Sequence, residues 1–268
     1  MKKAIYLIPL LIFTLISVLP LYIVLMMSTH TTAEIFSGQV LTMGTHFIEN
    51  MRTIIENDFI TFYLNSMLVS TAATIASVLI SALAGFAIAK YDFRFKKFVS
   101  GFILATMMIP GQIGLIGYVL EMRTFGLVDT RLSLILVWLA NSFGVFFMMQ
   151  YIKESVPDEL LESARIDGCS DLGTFIRIVL PLIKPGILTL SMLIFLWSWN
   201  NFLLPLVIIF SKGLYTIPLG IKALSTYYVT DFGAQGAGLA FAVIPMIVLF
   251  SIGSKYFISG LTAGAVKG

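Results

Sequence analysis

Apolar residues run through this chain in six long blocks, and nearly all of the charges lie between them. The blocks are Ala4–Met27, Phe62–Ala89, Phe98–Leu120, Leu132–Met149, Ile187–Phe210 and Gly238–Phe257. At 1.5 Å of rise per residue, about 20 residues of helix cross a bilayer core, so each block is long enough or nearly so; the fourth is the shortest. No Asp, Glu, Lys or Arg lies inside a block except Lys255, which can snorkel to the interface near the end of the last. The pattern predicts an all-α integral membrane protein, a single domain over 1–268 with six transmembrane helices. The break between the fourth and fifth blocks, Tyr151–Pro185, differs from the rest: it is the only long run that mixes acids, bases and helix signals.

Within that run the spacing predicts a helix, a sharp turn and a second helix. Ser155 followed by Asp158 resembles an N-terminal capping box, with Pro157 tolerated in the first turn. Leu160, Leu161 and Ala164 fall at helical spacing, while Asp158, Glu159, Glu162 and Arg165 form a polar surface. Gly168 stands where the helix would end, since glycine takes the left-handed backbone without steric cost. Ser170 and Asp171 can open the second helix, which stops near Pro181. From the turn pattern alone, an amphipathic helix on the membrane surface or a solvated loop would serve as well.

Composition supports the membrane class. The chain is 58% hydrophobic and 12% charged, about half the charged fraction of a soluble domain. A net charge of +3 is too small and dispersed for nucleic acid, but its placement sets an orientation. With the N-terminus inside, the inner segments carry Lys2, Lys3, Lys90, Arg94, Lys96, Lys97, Lys153, Arg165, Arg177, Lys184, Lys255 and Lys267. The outer ones carry Arg52, Arg123, Arg131, Lys212 and Lys222. Twelve against five puts both termini and the Tyr151–Pro185 loop in the cytoplasm of a multi-pass membrane protein. The first block is about twice a signal-peptide core and has no small-residue cleavage pattern after it, so it reads as a retained helix. Cys169 is the only cysteine; an internal disulfide is excluded, and a buried or incidental thiol is expected.

Polar groups inside apolar blocks mark a path or a packing contact. In the third block Met108-Ile109-Pro110-Gly111-Gln112 interrupts the helix ladder, and Gln112 can turn toward a cavity, although Pro110 also reads as a simple kink. In the fifth, Trp197-Ser198-Trp199-Asn200-Asn201 lies half-way between the ends. Aromatic planes beside amides suit a neutral sugar, so Gln112, Trp197, Trp199, Asn200 and Asn201 are the path candidates. Asn65 and Asn141 read as packing amides. The outer segments Ser28–Ile60 and Ser211–Gln235 read as solvated connectors or as faces for a partner, with His30 and His46 as surface histidines. No metal-ligand spacing occurs.

Glu162-Ser163-Ala164, then three residues, Gly168, nine residues and Ile178-Val179-Leu180-Pro181, closely resembles the EAA motif of ABC importer permeases, with Ser163 where alanine is usual. The tail Ser259–Gly268, the MIPGQ run, the Trp–Asn cluster and Gly126-Leu127-Val128-Asp129-Thr130 resemble the carbohydrate-uptake (maltose-type) subgroup. The resemblance implies a type I importer fold whose Tyr151–Pro185 loop is a coupling helix. It implies ATPase docking by Glu162, Ser163, Ala164, Asp167, Gly168, Ile178, Leu180 and Pro181, with Gly264–Gly268 as a second contact or a frayed terminus. It also implies a second, paralogous permease, two cytoplasmic ATPase subunits and an extracellular sugar-binding protein around this lipid-embedded chain, in a bacterial or archaeal cell (inner) membrane. The chain has no Gly-x-x-x-x-Gly-Lys-Ser/Thr loop, so ATP and Mg are expected in the partner ATPase, with no cofactor and no enzymatic activity here. The expected function is the permease subunit of an ATP-driven carbohydrate importer. An importer of another small polar solute is the alternative. A secondary carrier lacks the intramembrane ionisable residue it would need, and a membrane anchor leaves the spaced motif unexplained.

Overall fold

The computed structural model describes residues 2–225 and 230–263, with side chains over 6–225 and 230–254. Among the described residues the regular structure is helical, with a single isolated bridge between Ser225 and Thr230. The chain opens with α1 (Lys2–Met27), α2 (Thr32–Phe36), α3 (Phe47–Glu56) and α4 (Phe59–Lys90). It continues through α5 (Lys96–Met107), α6 (Leu115–Thr124), α7 (Arg131–Leu136) and α8 (Ser142–Ser155). Then come α9 (Asp158–Ile166), α10 (Asp171–Thr174), a π-helical turn at Phe175–Val179, α11 (Leu180–Leu182) and α12 (Lys184–Trp199). The last elements are α13 (Leu203–Ile208), a 3₁₀ turn at Lys212–Leu214, α14 (Ile217–Ala223) and α15 (Phe232–Ala263).

Helices α1, α4 and α15 are long and apolar enough to cross a membrane. The first, second and sixth apolar blocks are thus continuous, and the other three are broken. Pro110 lacks an N–H, and between α5 and α6 the chain makes tight turns, Ile113 N–H to Pro110 O at 3.0 Å and Gly114 N–H to Gly111 O at 3.2 Å. Between α7 and α8, Asn141 leaves the helical conformation and its Oδ1 accepts the Gly144 N–H at 2.8 Å. Between α12 and α13, Asn201 receives a freed N–H, and the Asn200 side chain adds a second donor to Leu196 O, which already accepts the Asn200 backbone N–H. Asn200 Nδ2 donates to Leu196 O at 2.9 Å, and Asn201 Oδ1 accepts the Leu204 N–H at 3.2 Å.

The described residues fall into two compact units, within Met1–Asn65 with Ser211–Ile247 and within Ser66–Phe210 with Val248–Gly268. The first unit is built on the end of α1. Thr29 Oγ1 donates to Met26 O at 2.7 Å and accepts the Gly44 N–H at 2.8 Å. Asn50, buried on α3, donates to Ser28 O at 2.9 Å and His30 O at 3.0 Å. Gly233 approaches so closely that a Cβ there would strike His30 O and the Asn50 amide. His30 is therefore not the surface histidine that its loop position predicts: it is 3% exposed, with Nδ1 2.8 Å from Met26 O. His46 is half-buried beside Glu34. The Ser28–Ile60 segment is a folded cap and not a connector, because its polar groups are spent on the chain ends leaving α1. Thr31 and Glu34 form a full capping box for α2, and the Thr31 N–H at 2.8 Å leads in holding the Glu34 carboxyl below its ordinary value. Asn65 acts as expected, donating to Gly213 O at 2.9 Å and Tyr215 O at 3.0 Å.

The second unit holds the main core. Val78, Ala82 and Phe86 of α4 meet Met148 and Ile152 of α8, Leu161 of α9, Phe175, Val179, Ile183, and Leu190 and Ile194 of α12. Close approach depends on small residues: a Cβ at Gly85 would meet the Met148–Met149 backbone, and one at Gly144 would strike Ser81 Oγ.

Replacing Asn50 by alanine removes two buried hydrogen bonds and leaves two carbonyls unpaired. A loss of about 2 kcal/mol is expected. Thermal unfolding of the detergent-solubilised protein would read it as a lowered midpoint, and an unchanged midpoint would refute the role given to Asn50.

Candidate functional site

The helix–turn–helix over 157–182 follows from local chemistry, with one departure from the sequence reading. Ser155 does not cap α9: it is the last residue of α8, and Pro157 takes the N-cap position without a side-chain bond. A proline disfavours the helical conformation in the residue before it, so Val156 (φ −119, ψ 103) ends α8 and turns the chain. Asp158 and Glu159 then occupy the first turn of α9 and Arg165 the last, complementing the helix dipole.

The end of α9 is a Schellman turn. Gly168 has φ +77, its N–H donates to Arg165 O at 3.1 Å, and the Cys169 N–H donates back to Ala164 O at 2.9 Å. Ser170 caps α10, accepting the Gly173 N–H at 3.2 Å. A π-turn follows, with the Leu180 N–H bonded to Phe175 O, just before Pro181, which has no N–H to give. The chain then bends by 79° at Ile183 into α12.

The docking candidates divide by exposure. Glu162, Ser163, Asp167, Gly168 and Pro181 are exposed, Ile178 is half-buried, and Leu180 packs on the core. Ala164 is turned inward at 3% exposure beside the core residue Leu161. The sequence reading omitted Ile166, which at 86% is the most exposed large apolar side chain of the loop, with Leu160, Leu172 and Ile176 also exposed. The signal was present, since Ile166 lies off the buried spacing of Leu161 and Ala164 on an otherwise polar helix.

Two further residues escaped the sequence reading: Lys90, noted only as an inner charge, and Tyr91. Lys90 ends α4 with a side chain only 6% exposed, and its Nζ donates to Val156 O at 2.6 Å and to Asp158 at 2.7 Å. Tyr91 Oη donates to Asp171 at 2.7 Å, its ring lies 5.6 Å beneath the Arg165 guanidinium, and its edge meets Phe86 at 5.4 Å. Burial first, then the hydrogen bond and charge of Asp171, push the Tyr91 phenol above its ordinary value and keep it a donor.

The intramembrane candidates do not form one cluster of free groups. Trp199 is buried at 3% exposure and stacked on Phe195 at 5.6 Å. Trp197 is more open, with its ring edge-to-face against Phe143 at 5.3 Å. Asn200 is exposed and Asn201 half-buried, both engaged at the α12–α13 break. Gln112 is exposed in a different break, between α5 and α6. Asn141 caps α8 locally, three residues from its partner Gly144, a backbone role in place of the interhelical packing contact expected of it. The tail Gly264–Gly268 lies outside the described residues.

Residues 77–262 match the sequence family described as binding-protein-dependent transport system inner membrane component. Among curated relatives, the arabinooligosaccharides transport system permease protein AraQ of Halalkalibacterium halodurans is 38% identical over 78% of this chain and 74% of its own length. The diacetylchitobiose uptake system permease protein DasC of Streptomyces coelicolor is 32% identical over 94% and 92%. Among solved structures, a chain of a bacterial ABC transporter involved in the import of the acidic polysaccharide alginate superposes with a TM-score of 0.82 at 24% identity, covering 96% of both chains. At that identity the likeness speaks for the fold, that of a type I importer permease.

Because Gly168 needs a positive φ, Gly168→Val forces a β-branched residue into the left-handed region at a cost of about 1–3 kcal/mol. The turn is expected to open while the membrane helices stay intact. Hydrogen exchange at the amides of positions 168 and 169 would rise sharply in the variant. Unchanged protection there would refute the Schellman turn.

Proposed function

The chain belongs to the family of binding-protein-dependent transport system inner membrane components, and on that premise we propose that it is the permease subunit of an ATP-driven carbohydrate importer. The observation that carries the reading is the 157–182 helix–turn–helix: a glycine-turned loop that keeps Ile166, Glu162 and Asp167 exposed. A charged helix with one bare isoleucine at its end is what a cleft on a soluble partner would grip, because burying that side chain is worth a few kcal/mol. The partner is an ATPase subunit, in which ATP and Mg are bound. Two ATPase subunits, a second, paralogous permease and an extracellular sugar-binding protein complete the assembly. Both termini and the docking loop face the cytoplasm, in keeping with the excess of basic residues on those segments.

The carbohydrate assignment draws on relatives named for arabinooligosaccharides and diacetylchitobiose and on the chemistry of the broken helices. At the α12–α13 break the exposed face of Trp197 and the Asn200 and Asn201 amides offer an apolar plane beside hydrogen-bonding groups, which matches the two faces of a sugar ring. Gln112 adds an amide at the α5–α6 break. Trp199, stacked inward on Phe195, supports that region from behind. Closure of the ATPase pair displaces α9, and the membrane helices change between outward and inward openings because ATP binds one state better.

Two experiments test this. Purification from native membranes in mild detergent is expected to bring down a second permease and a P-loop ATPase. Ile166→Asp is expected to lower ATPase recovery about tenfold or more, as loss of an interface anchor does, with insertion unchanged. Full recovery with Ile166→Asp would refute the docking role. In reconstituted vesicles, Trp197→Ala is expected to reduce sugar uptake while the ATPase stays bound; unaltered uptake would remove Trp197 from the path.

A further inference from the structure

Lys90 and Tyr91 are consecutive residues, yet between them they hold both ends of α9 and the start of α10. Lys90 Nζ takes the corner before α9, donating to Val156 O at 2.6 Å and to the first-turn carboxylate of Asp158 at 2.7 Å. Tyr91 takes the other end: its ring lies under Arg165 in the last turn of α9, and its hydroxyl donates at 2.7 Å to Asp171, the first residue of α10. The two carboxylates engaged are each the opening residue of a helix, where the dipole already favours negative charge. Each anchor therefore acts at a helix end: Lys90 on the Val156 backbone carbonyl and the exposed Asp158 carboxylate, Tyr91 on the exposed Asp171 carboxylate.

Burial separates this arrangement from an ordinary surface ion pair. The Lys90 side chain is 6% exposed and sits at the margin of the core that joins Phe86, Ile152, Val156 and Leu161. The Asp158 carboxylate remains open to water, so the buried part of the contact is the lysine stem and its bond to Val156 O, and a lysine with so little exposure is costly to leave unpaired. The Phe86–Tyr91 edge contact, and the packing of Phe86 on Phe175 at 5.4 Å, continue the same attachment into α4 and into the π-turn after α10.

We propose that Lys90 and Tyr91 are a transmission clasp, positioning residues that make α9 and the end of α4 move as one body, so that displacement of the docking helix is delivered to that long membrane helix. This rests on the reading of α9 as the ATPase-docking helix. Without the clasp, α9 still packs on α4 through Leu161 in the common core, and it keeps its chain connections to α8 and α10. Docking survives, but the two ends of α9 are no longer tied to the end of α4, and less of a docking event reaches that helix. The two activities then separate: ATP is hydrolysed, and less sugar crosses per ATP.

The test uses the whole importer, purified with its partner permease and ATPase subunits and reconstituted in lipid vesicles, with ATP hydrolysed per sugar imported as the readout. Lys90→Met, which removes two hydrogen bonds, is expected to raise that ratio about fivefold or more, fivefold being the factor equivalent to losing one of them, with ATPase recovery unchanged. Lys90→Arg, which keeps a charged donor, is expected to restore most of the coupling. An unchanged ratio in Lys90→Met overturns the clasp, and so does loss of the ATPase from that variant, since the residue would then serve docking and not transmission. If Lys90→Met does not insert, Tyr91→Phe and Asp171→Asn are read in the same assay. Equal rises that do not add in the double variant support the clasp, and unchanged ratios overturn it. Failure of the docking reading itself is distinct: the ATPase would remain bound to a wild-type chain from which 158–168 had been deleted.

Discussion

A backbone N–H or C=O released where a helix breaks inside an apolar stretch has little water to turn to, and leaving it unpaired costs several kcal/mol. Three of the six apolar blocks break, and the breaks are where the polar side chains of those blocks are used. Asn141 receives the Gly144 N–H, Asn200 returns to Leu196 O, and Asn201 receives the Leu204 N–H. At the far end of α13, Asp129 adopts φ 60, donates its N–H to Ile208 O and accepts the Phe210 N–H at 2.8 Å. The glycine-started run Gly126–Thr130 is thereby a cap for a neighbouring broken helix. Satisfying the backbone decides where the chain can be irregular, and irregularity is what leaves Gln112 and Asn200 open.

The 157–182 loop obeys the same constraint. Pro157 ends one helix and admits the next, Gly168 closes α9 by returning two N–H groups to carbonyls, and the π-turn absorbs the donor that Pro181 lacks. The result is a short element whose glycine turn and second helix start are closed by hydrogen bonds. Lys90 and Tyr91 fasten it to the end of α4. Leu161, Ala164, Phe175 and Val179 bury its inner side, which leaves the outer side, with Ile166, to a partner.

Polarity inside apolar blocks proved an ambiguous signal. Asn65 and Trp199 both lie in membrane-crossing stretches, and both are buried: one holds two carbonyls, the other stacks on Phe195. Trp197, two residues away from Trp199, faces outward from the core. On a helix two residues turn about 200°, so the neighbours in that run had to take different surroundings, and composition could not say which was which. His30 is the same lesson in the loop: its polarity placed it at the surface, whereas its ring nitrogen was needed at the end of α1.

The sequence by itself determined the class, the number and approximate limits of the apolar blocks, the glycine turn at 168 and the spaced Glu162–Pro181 motif, because these depend on local rules: the length of a bilayer-crossing helix, the backbone freedom of glycine, the missing N–H of proline. Only the tertiary structure decided which side chains those elements turn inward. Ala164 went to the core and Ile166 to solvent, and Ser155 ended a helix it had been expected to begin. Lys90 and Tyr91 were joined to residues 66 to 80 positions away. Such contacts follow from packing between distant segments, and no local pattern encodes them.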